Sequence, residues 1–271
     1  MIGCQLSPRD MVVLTVVAEM YGAPLDRVAA MLGVSMPSTY RCVSRWRNAG
    51  MASKLRVRPV PGPAWVFTTR SATEALLDIP ARYWTPTPKM AAHVTTTLDL
   101  RVALTGLDLE RWISERELRS QVGRVKEGQT KPHIHDGRFY DDQGRLWAVE
   151  VELTAKNLAQ AKVAVAKAKQ AAKLADCAGI IYYCKTEWTD SRGQLVRRSD
   201  EITNVIREAV HATAQVEGPP VRIADIDKVL GAHRAAVAAE SRPGLRVIEG
   251  GASDHVDQDD ADGSAGVVVS S

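Results

Sequence analysis

Residues 146–154, LWAVEVELT, alternate between two faces along their whole length. Successive side chains of a strand point to opposite sides, so Val149, Val151 and Leu153 share one face and Ala148, Glu150 and Glu152 the other. Two carboxylates on one face of a mostly apolar strand are costly unless a cation neutralises them. The surrounding segments set the context of that strand. Upstream, HIHDGRFYDDQGR places Asp136 at the end of an expected short strand, and residues 141–144 (DDQG) read as a hairpin turn into the glutamate strand. Lys156 follows at the start of a helix predicted to run to about 174, and GIIYYC (179–184) reads as a buried parallel strand. A helix carrying Glu115 and Glu117 is predicted over 108–121. Strands and helices in this order predict an α/β domain over residues 91–239.

The first 77 residues have a different pattern. Met11, Leu14, Val17 and Ala18 follow helical spacing, which predicts a helix over 8–20. Pro24 suits a helix start; Leu25, Val28, Ala29 and Leu32 then give a second helix an apolar face, and Gly33 supplies the left-handed turn residue. Ser35 is placed to cap a third helix over about 36–49, ended by Gly50. On that helix Val43 and Trp46 are expected to face the core, and Ser38, Thr39, Arg41, Arg45 and Arg47 to lie on the polar faces. Two strand-like runs, Leu55–Val60 and Ala64–Thr68, flank a PGP turn and carry Lys54, Arg56 and Arg58 nearby. A helix entering the major groove needs short polar side chains and Arg to reach base edges, and a wing needs cations for phosphates. The segment supplies both, so it reads as a winged helix-turn-helix whose partner is double-stranded DNA.

Charge is distributed to match. The net charge is only +3, yet residues 36–70 hold seven Lys or Arg and no acid, whereas residues 249–262 hold six acids and no Lys or Arg. Residues 78–90 contain three prolines and read as a linker. From 240 to 271 Gly, Ser, Asp and Ala dominate, a composition expected to stay disordered. The four cysteines form no paired motif, which points to reduced thiols and a cytoplasmic setting, either in the host cytoplasm or at the nucleoid. No apolar run is long enough to span a membrane, and the N-terminus lacks the pattern of a signal peptide.

The order helix, hairpin with Asp, strand with two Glu, basic helix and buried strand resembles the PD-(D/E)XK nuclease core. More narrowly, the chain resembles the replication-relaxation family of actinobacterial plasmids, phages and integrated elements. The resemblance rests on WVFTT (65–69), HVTTTLDLRVAL (93–104), WISERELR (112–119), HIHDG (133–137) and WAVEVELTAKN (147–157). It implies a mixed-sheet nuclease-like domain and a role in replication or relaxation of mobile-element DNA. It also implies Mg²⁺ or Mn²⁺ held by Asp136 and Glu150, with Glu152 helping to hold metal or water and Lys156 stabilising charge. Two positions depart from the nuclease pattern: His135 precedes Asp136 where proline is usual, and Glu152 stands where lysine is usual. The alternative is a non-catalytic replication or transcription regulator whose degenerate second domain assembles protomers, so a homo-oligomer is a second expected partner.

Other residues carry weaker signals. His133, His135 and Asp136 resemble the start of a zinc set, but no further ligand follows at recognisable spacing. His93 reads as a capping or packing histidine. Lys156, Lys162, Lys167, Lys169 and Lys173 read as a solvated basic helix face, and SRGQLVRR (191–198) as a basic loop.

Overall fold

The first helix is built by its own start signal. Ser7 Oγ accepts from the Asp10 backbone N–H at 3.1 Å while Asp10 accepts from the Ser7 N–H at 2.9 Å, so two unpaired donors are satisfied reciprocally and α1 (Pro8–Glu19) begins. A short strand β1 (Ala23–Pro24) leads into α2 (Leu25–Leu32), which stops at Gly33 with φ +62°, a left-handed conformation that favours glycine. Then comes α3 (Met36–Asn48). Ser35 occupies its N-cap position, but its hydroxyl bonds Ser38 Oγ at 3.2 Å instead of a backbone N–H. Val43 and Trp46 are buried as expected, and the Trp46 indole donates to Asp10 at 2.9 Å. This is a computed structural model that describes residues 5–123, 131–190 and 192–240; the expected acidic tail beyond 240 lies outside those residues.

The extended pair after α3 is shorter than the sequence suggests. Strand β2 (Trp65–Val66) pairs antiparallel with β1, and only single bridges, Val57 with Trp65 and Ala52 with Thr68, join the rest. Pro59, Pro61 and Pro63 crowd the expected hairpin, and proline has no N–H to give a ladder. Helix α4 (Arg70–Leu77) follows.

Residues 78–90 are anchored rather than free. The Trp84 ring packs against Tyr21, Trp65 and Phe67 at centroid distances of 5.6, 6.4 and 6.2 Å. Helix α5 (Pro88–Thr105) begins within this stretch, because proline at the first helical position sacrifices no hydrogen bond. Apolar packing is continuous from the N-terminal helices into the second half: Val13, Val17 and Leu32 share one buried cluster with Leu98, Trp112, Phe139, Val149 and Val151. A buried ion pair, Arg101 to Glu19 at 2.8 Å, and the Arg116 guanidinium donating to the Ala18 carbonyl at 2.9 Å cross the same boundary.

The helix expected over 108–121 is corrected at its start. Residues Trp112–Ser114 form strand β3, and α6 (Glu115–Val122) begins only where Ser114 and Glu117 make a capping box. Strand β4 (Gly137–Tyr140) turns through Asp141–Gly144 into β5 (Leu146–Glu152), as the sequence predicts, although Asp136 precedes β4 rather than ending a strand. Asn157 caps α7 (Leu158–Leu174), two residues later than the sequence places it, and β6 (Gly179–Cys184) runs parallel to β5. A small antiparallel pair, β7 (Glu187–Thr189) and β8 (Leu195–Arg198), replaces the expected basic loop. Then come α8 (Glu201–Ala212), β9 (Val221–Asp225) and α9 (Ile226–Glu240).

The molecule is mixed α/β, with a five-stranded mixed sheet in the order β3-β4-β5-β6-β9. Its first three strands pair antiparallel and its last three parallel. Val149 and Val151 face the cluster shared with the N-terminal helices; Ala148, Ile180 and Tyr182 face α7 and α8. The lysine face of α7 is corrected at one position: Lys169 is buried and donates to the Thr213 carbonyl at 3.0 Å. Among the described residues, no helix is long and apolar enough to cross a membrane.

Candidate functional site

Glu150 and Glu152 occupy alternate positions of the central strand β5, opposite Tyr182 and Cys184 of β6, and both are buried, 7% and 6% exposed. Asp136 is brought beside them by the β4–β5 pairing. Its backbone N–H donates to the Val149 carbonyl at 3.1 Å and its Oδ2 accepts from the Val151 N–H at 2.8 Å, so it brackets Glu150. Lys156, from the turn before α7, ion-pairs with Glu152. The four residues that the sequence singles out for metal and charge chemistry therefore converge.

Two histidines complete the cluster. His93, in the first half of α5, meets Asp136 Oδ1 through Nε2 at 3.0 Å. His133, three residues before Asp136, meets Glu150 Oε1 through Nε2 at 2.6 Å. Neither pairing was legible from spacing, because His93 is 43 residues away from Asp136 and the turn that brings His133 back is not a regular element. Each carboxylate thus faces a nitrogen group from a different segment: Asp136 with His93, Glu150 with His133, Glu152 with Lys156. Glu115, also weighed in the sequence, pairs with Arg119 and lines a small cavity with His93 and Asp136.

The electrostatics follow from burial. Desolvation pushes Glu150 up to about 7 despite its bond to His133, and the charges of Asp136 and Glu152 push in the same direction. Burial also raises Glu152, against the attraction of Lys156. Burial alone would lower His93 and His133, but their carboxylate partners outweigh it, so both sit above the ordinary histidine value. His135 is lowered to about 3, chiefly by burial and then by the neighbouring His133 and Arg138. Its Nε2–H donates to the Ala168 carbonyl at 3.2 Å and its Nδ1 accepts from Arg138 Nε at 3.3 Å.

Asp136 and Glu150 bring two carboxylates into one desolvated cluster, with both Asp136 oxygens and Glu150 Oε1 already engaged by His93, the Val151 N–H and His133. No family model, no curated protein and no solved structure matches this chain.

The basic surface lies elsewhere. Arg41, Arg45, Lys54, Arg56 and Arg58 are exposed, and Ser38 and Arg47 half-buried. Arg47, Lys54, Arg56 and Arg58, with Tyr40, Ser44 and Asn48, line a groove of about 690 Å³ between α3 and the extended segment after it. Arg41 donates to Ser38 at 2.9 Å, Arg45 pairs with Asp10 at 3.2 Å, and Arg47 donates to the Ser53 carbonyl at 3.0 Å. Thr39 is a correction: it has no exposed surface, and its hydroxyl donates to the Ser35 carbonyl at 3.0 Å. The helical period turns it inward between exposed Tyr40 and half-buried Ser38, so it belongs to the packing and not to any DNA contact.

Proposed function

We propose that this chain is a DNA-binding protein that acts on its DNA as a divalent-metal-dependent nickase or endonuclease. In this reading residues 1–77 are a winged helix-turn-helix, the five-stranded sheet is a PD-(D/E)XK-like core, and the DNA belongs to a plasmid, phage or integrated element during replication or relaxation. The observation that carries it is the convergence of Asp136, Glu150, Glu152 and Lys156 at one end of β5. Asp136 and Glu150 would hold Mg²⁺ or Mn²⁺, which supplies Lewis-acid stabilisation of the phosphate and an activated water. The Asp136 carboxylate is held in place by the Val151 N–H and by His93. The Lys156 ammonium, 38% exposed, is positioned to offset negative charge at the phosphate. Arg41 on α3 reaches a base edge, and Arg56 and Arg58 after it hold the duplex through its phosphates.

A second reading, a non-catalytic regulator with a degenerate site, is favoured by the pairing of Glu152 with Lys156, which neutralises one carboxylate without metal. Incubation of the purified chain with supercoiled plasmid separates the two. Open-circle or linear product in Mg²⁺ or Mn²⁺, absent with EDTA and in Asp136→Asn, is expected. Intact plasmid in both metals, or equal cleavage by Asp136→Asn, overturns the nuclease reading.

A further inference from the structure

We infer that His133, His135 and Glu150 form a site for a first-row metal ion of zinc type. One donor atom from each of the three lies within 4.8 Å of the other two. The site goes beyond the nuclease reading: it draws on Glu150, which that reading also uses, so the two ions would share or compete for one carboxylate, but it uses neither Asp136, Glu152 nor Lys156.

The geometry is that of donors already oriented. His135 is fully buried, and its Nε2–H is committed to the Ala168 carbonyl of α7. That bond fixes the tautomer and leaves the lone pair on Nδ1, the arrangement by which a ligating histidine is usually held from behind. The His133 ring stands 5.2 Å from the His135 ring and nearly perpendicular to it, at 81°. Its Nε2 already meets Glu150 Oε1 at 2.6 Å. His133 and His135, two residues apart in the irregular segment before β4, bring both imidazoles together. The third donor, which no spacing in the sequence reveals, comes from β5.

Two imidazole nitrogens and one carboxylate oxygen select the class of ion. Nitrogen donors suit Zn²⁺ and its neighbours, whereas Mg²⁺ keeps to oxygen. Three protein donors leave a further position for water. The competing contact is Arg138, whose Nε–H reaches His135 Nδ1 at 3.3 Å, a long bond from a half-buried side chain that must withdraw when the ion binds.

The test uses the full chain, stripped with chelator and titrated with Co²⁺ as a visible probe, then with Zn²⁺. One equivalent of Co²⁺ should give absorption bands of a low-coordinate nitrogen–oxygen site, and Zn²⁺ should displace them. His133→Asn, at a half-buried position, should weaken binding at least about tenfold, and Glu150→Gln should do the same. His135→Ala removes a fully buried ring, so His133→Asn carries the test if that variant fails to fold. Asp136→Asn should leave the Co²⁺ bands intact while abolishing any response to Mg²⁺, which keeps this site distinguishable from the nuclease centre. Absence of stoichiometric Co²⁺ binding, bands unchanged in His133→Asn, or bands lost in Asp136→Asn would overturn it.

Discussion

At the scale of single residues, carboxylates in this chain do their work by being buried beside a chosen partner. Glu19 is the clearest case away from the candidate site. It is 4% exposed and bonded to fully buried Arg101, and burial still pushes its carboxyl up to about 7. The ordinary value is 4.5, so the folded state binds the Glu19 proton more tightly than the unfolded chain does. This contribution to stability is complete below about pH 4.5 and is lost as pH rises through about 7. Denaturant unfolding at a series of pH values should show a shallower decline over that interval in Glu19→Gln than in the wild type. Parallel profiles would contradict the assignment. Asp136, Glu150, Glu152 and Lys156 were legible because strand period and a hairpin turn bring them together. His93 was not, because its partnership depends on how α5 lies against the sheet. Thr39 was not legible either, because a polar side chain need not be exposed: its hydroxyl is satisfied locally by the Ser35 carbonyl.

At the scale of elements, two glycines show why the sheet has its shape. A Cβ at Gly137 would stand 2.2 Å from the Trp112 ring, and one at Gly179 would stand 2.2 Å from the Trp147 ring. Both neighbours are rigid, buried indoles, so the strands must part or the rings must leave their rotamers. Gly137→Ala and Gly179→Ala should each cost about 1–3 kcal/mol in thermal unfolding. Gly231→Ala, inside α9 where no atom lies within 4 Å of the added carbon, should instead stabilise by about 0.5–1 kcal/mol. Equal melting of all three would show that the indoles yield freely. The sequence anticipated β5, β6 and α7 well, since a continuous apolar run and a strict alternation are strong local signals. It missed β3, because the capping box at Ser114 starts a helix only after three residues that pair with β4. It overextended the hairpin near Val60, where prolines deny the ladder its donors.

At the scale of the whole molecule, a basic face and a buried carboxylate cluster sit on one chain whose apolar core is continuous between them. If the basic groove engages about five phosphates, log K for duplex DNA should fall with log salt at a slope of about −4.5. Arg41→Ala should weaken a specific site by about 1–3 kcal/mol. A salt-independent affinity would contradict the DNA assignment. The central claim is that the carboxylates form a cation site and not a cluster neutralised only by its own lysine and histidines. The direct measurement is a thermal melt of the full chain with and without Mg²⁺. A cation bound only by the folded state stabilises it by about 2.7 kcal/mol at a hundredfold excess over Kd. A rise in melting temperature with Mg²⁺ is expected, and it should disappear in Asp136→Asn and in Glu150→Gln. No rise in the wild type, together with collapse of Lys156→Ala, would contradict it.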